Sequence, residues 1–225
     1  MPLFLALALL LAPYTAAAAG LHGRVMAPPS LAAAVPLSVA VDAWACGNEG
    51  RIADPRLVIG EGRGIADVVV RVMGSTNAPP YNATGPGPVI DQKGCVFVPH
   101  LVIAAPGVPV RVRNSDRLLH TFRTKAALNR NVNKAQTSGK EDTVVFTEPE
   151  IVRAACDVHY WMGAVIVVAE HAWTVATDEA GRFALSGLPA GRYQLELWHE
   201  TLGTRRVLAE AGADGASLEV VWEQD

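Results

Sequence analysis

The sequence predicts an all-β protein built from β-sandwiches. Two observations carry that expectation. No segment keeps an apolar period of 3.6 residues over several turns, so no amphipathic helix is foreseen. Short β-branched runs recur instead, each bounded by Gly, Pro, Asn or Asp. A third observation bounds the class. Half of the 225 residues are apolar and 18% are charged, against a usual charged share of about 25%. Such a chain can fill a core and is neither disordered nor a highly charged nucleic-acid binder. A net charge of −3 gives no global field for DNA or an anionic membrane. The length allows one or two domains.

The elements follow in chain order. Residues 3–12 read LFLALALLLA, followed by Pro13 and a run of Ala ending at Gly20. That is the layout of a secretory signal peptide over 1–19, and it falls short of the ~20 apolar residues a spanning helix needs. No Lys or Arg precedes the apolar run, and a buried N-terminal helix is the alternative. The expectation is a periplasmic or secreted chain, soluble once processed, with no integral membrane segment. Strands are expected at 36–41, 66–72, 100–105, 108–112, 143–146, 163–169, 182–186 and 192–198. Residues 74–90, rich in Gly, Pro and Asn, read as a linker. Residues 123–142 read as a long polar connection, functional or mobile. That stretch carries Arg123, Lys125, Arg130, Lys134 and Lys140. These cations are expected either to steer an acidic redox partner or simply to be solvated.

Three cysteines occur: Cys46, Cys95 and Cys156. In an oxidising compartment two should pair. Cys156 has a His three residues later, and the other two do not. The simplest arithmetic is a Cys46–Cys95 disulfide and a functional thiolate at Cys156, with a free buried thiol as the alternative.

The chemistry-bearing stretch is Cys156-Asp157-Val158-His159-Tyr160-Trp161-Met162. It lies between two β-runs, and His120 stands just beyond the strand VPVRVRN. Two imidazoles, one thiolate and a weak thioether form a soft S/N donor set that suits a one-electron copper site. Thiolate and thioether stabilise Cu(I), and imidazole accepts Cu(II) as well. Zinc, or no metal, are the alternatives; Met is not among zinc's usual ligands.

Residues 94–169 resemble a cupredoxin, close to plastocyanin and amicyanin. Phe97-Val98-Pro99 resembles the family's F-x-P strand, and Ala105-Pro106-Gly107-Val108-Pro109-Val110 its Gly-turn hairpin. Asn114-Ser115-Asp116 followed by His120 resembles its N-x-D…H pattern, in which the His binds copper. Cys156, His159 and Met162 match the other three ligands, at the short loop spacing of amicyanins. Tyr160 departs from the family, whose loops commonly carry Pro after the His. The resemblance implies a type 1 site holding one ion that cycles between Cu(I) and Cu(II). It implies that Asn114 and Asp116 steer the His120 loop, unless they are ordinary turn residues. It also implies that His159 reaches the surface as an electron exit; Tyr160 and Trp161 beside it read as a docking patch or as ordinary packing. His100 follows Pro99 and reads as a group that supports a ligand from behind or as an extra ligand, or else as a plain strand histidine. His22, His171 and His199 read as structural or surface residues.

The tail, Thr177-Asp178-Glu179-Ala180-Gly181-Arg182-Phe183 then Leu188-Pro189-Ala190-Gly191-Arg192-Tyr193, resembles a carboxypeptidase regulatory-like module, a transthyretin-like β-sandwich. Such fold analogy licenses no activity. His22-Gly23-Arg24-Val25 and Gly64-Ile65-Ala66-Asp67-Val68-Val69-Val70 resemble the early strands of the same module. The expected organisation is therefore a β segment over 20–78, a cupredoxin domain over 79–169 and the module's remainder over 170–225. The cupredoxin then interrupts the sandwich; the alternative is two domains in series, with 20–90 extending the cupredoxin sheet. The expected function is single-electron transfer between redox protein partners. Copper trafficking, or a structural or adhesion module with a metal site, are the alternatives. No enzyme is expected: the sequence has no evident pair of catalytic carboxylates, no nucleophile with a base and no phosphate loop.

Overall fold

The structure is a computed structural model that describes residues 20–47, 50–74, 77–82, 85–212 and 215–223. The signal peptide expected over 1–19 lies outside them. The described strands, in chain order, are β1 (Gly20–Met26), β2 (Leu37–Ser38), β3 (Arg51–Ile52), β4 (Val69–Val72), β5 (Val89–Gln92), β6 (Phe97–Val98), β7 (Leu101–Ala104), β8 (Val110–Asn114) and β9 (His120–Lys125). They continue with β10 (Asn133–Gln136), β11 (Glu141–Val144), β12 (Ile151–Ala155), β13 (Gly163–Val168), β14 (Thr174–Ala176), β15 (Arg182–Ser186), β16 (Gly191–His199), β17 (Gly203–Ala211) and β18 (Ala216–Val221). A short 3₁₀ turn at Glu61–Arg63 is the sole helical element among the described residues. No described helix is long and apolar enough to cross a membrane. The chain is all-β.

Two bodies form around separate cores. A five-stranded sheet (β10-β9-β12-β13-β7) and a four-stranded sheet (β11-β8-β5-β6) enclose a cluster that includes Ile90, Phe97, Val112, Phe122, Phe146 and Ile166. Phe97 meets Phe122 edge to face at 5.8 Å, a geometry worth about 0.5–1.5 kcal/mol beyond area burial. The second body pairs β15-β1-β18 with β14-β4-β16-β17 around Trp173, Leu185, Leu195, Leu197 and Trp222. Its strands β1 and β4 precede residue 73, and β14 to β18 follow residue 173. The segment after β1 serves both cores: Leu31 and Leu57 enter the second, while Val39, Cys46 and Ile52 enter the first.

Alternation along the strands sets the site. In β9 His120, Phe122 and Thr124 point inward, and Thr121, Arg123 and Lys125 point outward, as a two-residue side-chain period requires. Phe122 is fully buried. A one-residue slip would expose it and turn His120 out with it. In β13 both faces are buried, because Val165 and Val167 pack with Leu101 and Val69 between the bodies. That explains its continuous apolar run.

Several expectations need correction. Residues 123–142 are not one long connection: β10 and the start of β11 lie in it, and β9 runs to Lys125. Their Asn, Lys, Gln and Glu residues hide strand character because both strands stand at sheet edges with polar outer faces. The linker read over 74–90 ends early, since Val89 and Ile90 open β5. The run expected over 36–41 contributes only β2.

Candidate metal centre

Two elements deliver the donors. His120 opens β9, and the turn after β12 carries Cys156 and His159. The turn closes on itself: Met162 N–H donates to His159 O at 2.9 Å, and Cys156 N–H to Met162 O at 3.3 Å. His120 Nδ1 and His159 Nδ1 stand 2.9 Å apart. Cys156 Sγ lies 4.0 Å from the first and 3.9 Å from the second. All three residues are buried, both histidines at 0% exposure. Met162, 2% exposed, lies in the same core cluster as Cys156.

Each donor is oriented from behind. His120 Nε2 lies 3.0 Å from Asp116 Oδ2, and His159 Nε2 lies 3.0 Å from Asp42 Oδ2. An ionised carboxylate only accepts, so both Nε2 atoms carry their hydrogen and Nδ1 is left to face the cluster. Asp116 is itself fixed, accepting from the N–H groups of Gly94 (2.7 Å) and Cys95 (2.8 Å). Asn114 Nδ2 donates to Leu118 O (2.8 Å) and Gln136 O (2.9 Å), and its Oδ1 accepts Asp116 N–H (3.0 Å). Cys156 Sγ accepts the N–H of Thr121 at 3.3 Å and of His159 at 3.4 Å.

These contacts set the electrostatics. Burial alone pushes the Cys156 thiol up. The His120 ring and the backbone N–H groups of Thr121, His159 and Val158 outweigh it and bring the thiol down to about 6. Burial pulls the His120 imidazole down, but Cys156 and Asp116 outweigh that and hold it above its ordinary value. Two imidazole nitrogens and a thiol whose ionised form is favoured make a soft donor set that fits copper.

The disulfide joins Cys46 to Cys95, with Cα atoms 5.3 Å apart, and Cys156 is the free, buried cysteine. Both disulfide sulfurs lie within 4.8 Å of a His159 ring nitrogen. Asp42 belongs to the same turn as Cys46: Ala45 N–H and Cys46 N–H both donate to Asp42 O at 2.8 Å. Asp42 has φ 52, a left-handed conformation that Asp tolerates better than most residues.

His159 does not reach the surface. It is fully buried and its outer nitrogen is closed by Asp42, which corrects the expectation of an exposed exit there. The aromatic pair also divides: Tyr160 is 72% exposed, and Trp161 is 6% exposed with its indole N–H on Cys95 O at 2.9 Å. His100 stands apart from the donor cluster. Its Nε2 meets Glu200 Oε1 at 2.5 Å, and it belongs to no group of converging donors among the described residues. Its position after a β-turn strand gave no sign of that carboxylate, because Glu200 comes from the other body. Asp42 and Thr121 were missed. The signal for Asp42 was its place four residues before Cys46, once Cys46 was tied to Cys95.

No family model matches this chain, and no curated protein matches it. Among solved structures, a copper-containing nitrite reductase from Thermus scotoductus matches at 18% identity and a TM-score of 0.36, over 40% of this chain and 25% of that one. The chain thus spans about a quarter of that enzyme's length. A purple cupredoxin from Nitrosopumilus maritimus matches at 17% identity and a TM-score of 0.33, over 36% of this chain and 99% of that one. A Cu(I) amicyanin variant matches at 14% identity and a TM-score of 0.35, over 44% and 98%. At these identities and scores the functional reading rests on the donor cluster.

Proposed function

We propose that this chain is an exported type 1 copper protein that carries single electrons between redox proteins. One observation carries the reading: the His120 and His159 Nδ1 atoms and Cys156 Sγ converge within 4.0 Å of one another, each aimed by groups behind it. His120, His159 and Cys156 would hold the ion, with Met162 as a weak axial ligand. The bound ion would supply a Cu(I)/Cu(II) couple. The chain does the rest. Asp116 and Asp42 hold the ring tautomers, which limits rearrangement when the charge changes. Thr121 and His159 N–H groups draw charge from the sulfur. The burial of the cluster excludes water. The carrier reading, rather than an enzyme, is supported by a donor set that, with Met162, would fill four ligand positions from the protein.

The test is a Cu(II) titration of the processed protein followed by visible absorption. An intense thiolate-to-copper band saturating at one copper per chain supports the reading, and a colourless complex indifferent to Cys156→Ala sinks it.

One observation favours a second reading, copper capture and delivery. Asp42 and the disulfide close over His159, which slows exchange as much as it protects a carrier. Voltammetry separates the two. A reversible couple with both oxidation states bound supports the carrier, and retention of Cu(I) alone supports capture.

We also read the chain as one sandwich interrupted by another. Support comes from the pairing of β4 with β14 and β16, and of β1 with β15 and β18.

A further inference from the structure

We propose that electrons cross the surface of this protein at Tyr160–Trp161, and that the redox partner docking there presents a cluster of carboxylates. The inference rests on the copper reading above and adds the port and the chemistry of the partner.

The His159 edge is shut. Asp42 occupies its outer nitrogen and the disulfide packs against the ring. The aromatic side is open. The Trp161 ring centroid lies 5.2 Å from that of His159 and 5.2 Å from that of Tyr160. Trp161 is buried and Tyr160 is exposed, so the three rings run in contact from the donor cluster to solvent.

Beside these rings lies a cavity of about 370 Å³, walled by Arg56, Arg123, Lys125 and Arg153 together with Trp161 and Met162. The cations come there by strand parity. Arg123, Lys125 and Arg153 are exposed on the outer face of the five-stranded sheet. Arg153 and Lys125 are direct cross-strand partners. Like charges placed opposite one another destabilise a strand pair. Arg56 is answered by Asp54 and Arg123 by Asp157. The carboxylate in the cavity wall, Glu200, is engaged by His100. Among the described residues, Lys125 and Arg153 have no carboxylate within 4.0 Å. Arg153 is held over the Trp198 ring at 5.9 Å, which fixes its charge at the cavity. Two unanswered positive charges beside an aromatic port complement an acidic surface, and complementary charge speeds encounter. In the transfer, a reduced partner loses one electron and the site gains it. No bond forms or breaks, and no proton is required.

The test has two arms. In the first, hexacyanocobaltate(III), a redox-inert trianion, is titrated into the metal-free protein while the Trp161 indole signal is followed by NMR. Lys125→Glu/Arg153→Glu, at two exposed positions, serves as control. We expect the indole signal to shift and the double variant to weaken binding by about tenfold or more. In the second arm, the reduced, copper-loaded protein is oxidised by anionic hexacyanoferrate(III) or by cationic tris(phenanthroline)cobalt(III). The double variant should slow the anion by about tenfold and spare or speed the cation, with the wild-type advantage shrinking as salt screens the charges. Equal anion binding and equal anion rates in both proteins would overturn the proposal, as would anion-induced shifts centred on the Asp42 turn. A protein that takes up no Cys156-dependent copper colour ends the copper reading, while the first arm still decides whether the cavity binds anions.

Discussion

At the scale of single residues, the cluster divides into groups that would bind the metal and groups that aim them. Cys156→Ala should abolish the thiolate-to-copper band and leave the fold, because the disulfide is elsewhere; far-ultraviolet circular dichroism and absorption together check this. Met162→Leu should keep copper and shift the reduction potential, read by voltammetry; loss of copper would make Met162 more than a weak axial ligand. In the metal-free chain the thiol and imidazole have opposite pH signatures. The Cys156 value, about 6, lies below that of an unfolded thiol at about 8.5. The thiolate therefore adds stability that is complete above the unfolded value and is lost as pH falls towards about 6. His120 is raised, so its contribution is complete below the unfolded imidazole value and fades as pH rises through its folded one. Thiolate ultraviolet absorbance should titrate near 6. A thiol that titrates at its ordinary value would sink the hydrogen-bonded picture. The convergence of His120, Cys156 and His159 was legible in the sequence because soft residues at short spacing on a loop have few other uses. Asp42 was not: its carboxylate acts across 117 positions, and its place near Cys46 was the one hint of it.

At the scale of elements, the segment between β1 and β4 behaves as an arm laid over the donor cluster. Its two small strands pair only with each other, and the Cys46–Cys95 bond ties it to the turn that also holds Asp116. The double variant Cys46→Ser/Cys95→Ser should lose about 4 kcal/mol of stability, the scale for closing a loop between 15 and 100 residues long, checked by denaturant unfolding. Asp42→Ala keeps the disulfide but frees His159 Nε2, and should weaken metal affinity by about 10–100-fold, measured by competition with a chelator. An unchanged affinity would reduce Asp42 to a bystander. Apolar runs such as those of β4, β7 and β13 were visible in the sequence because both faces or one whole face are buried. The strands β10, β17 and β18 were not, since many of their inward positions hold polar or small side chains: Lys134 and Gln136 in β10, Arg205, Ala209 and Ala211 in β17, Ala216 in β18.

For the whole molecule, the order of strands makes the two ends of the chain depend on each other. β16 lies between β4 and β17, and β1 lies between β15 and β18. A fragment holding only residues 170–225 lacks two central partners and should stay unfolded, with poor amide dispersion by NMR. Limited proteolysis that removes residues 20–78 and leaves 170–225 folded would falsify the interrupted-sandwich reading. That interruption could be suspected from matching motifs on either side of the copper-like stretch, whereas the contact of the two bodies through His100 and Glu200 could not, because it joins positions with no shared pattern. The arm has one further consequence, for the history of each molecule. Before the Cys46–Cys95 bond forms, nothing covalent holds the Asp42 turn over His159; once it forms, the turn is fastened. Under the copper reading proposed above, an ion bound before oxidation would be sealed in, and one that came later would have to enter by another side. The sequence of oxidation and loading during biogenesis, rather than affinity alone, would then decide how much of the protein matures filled.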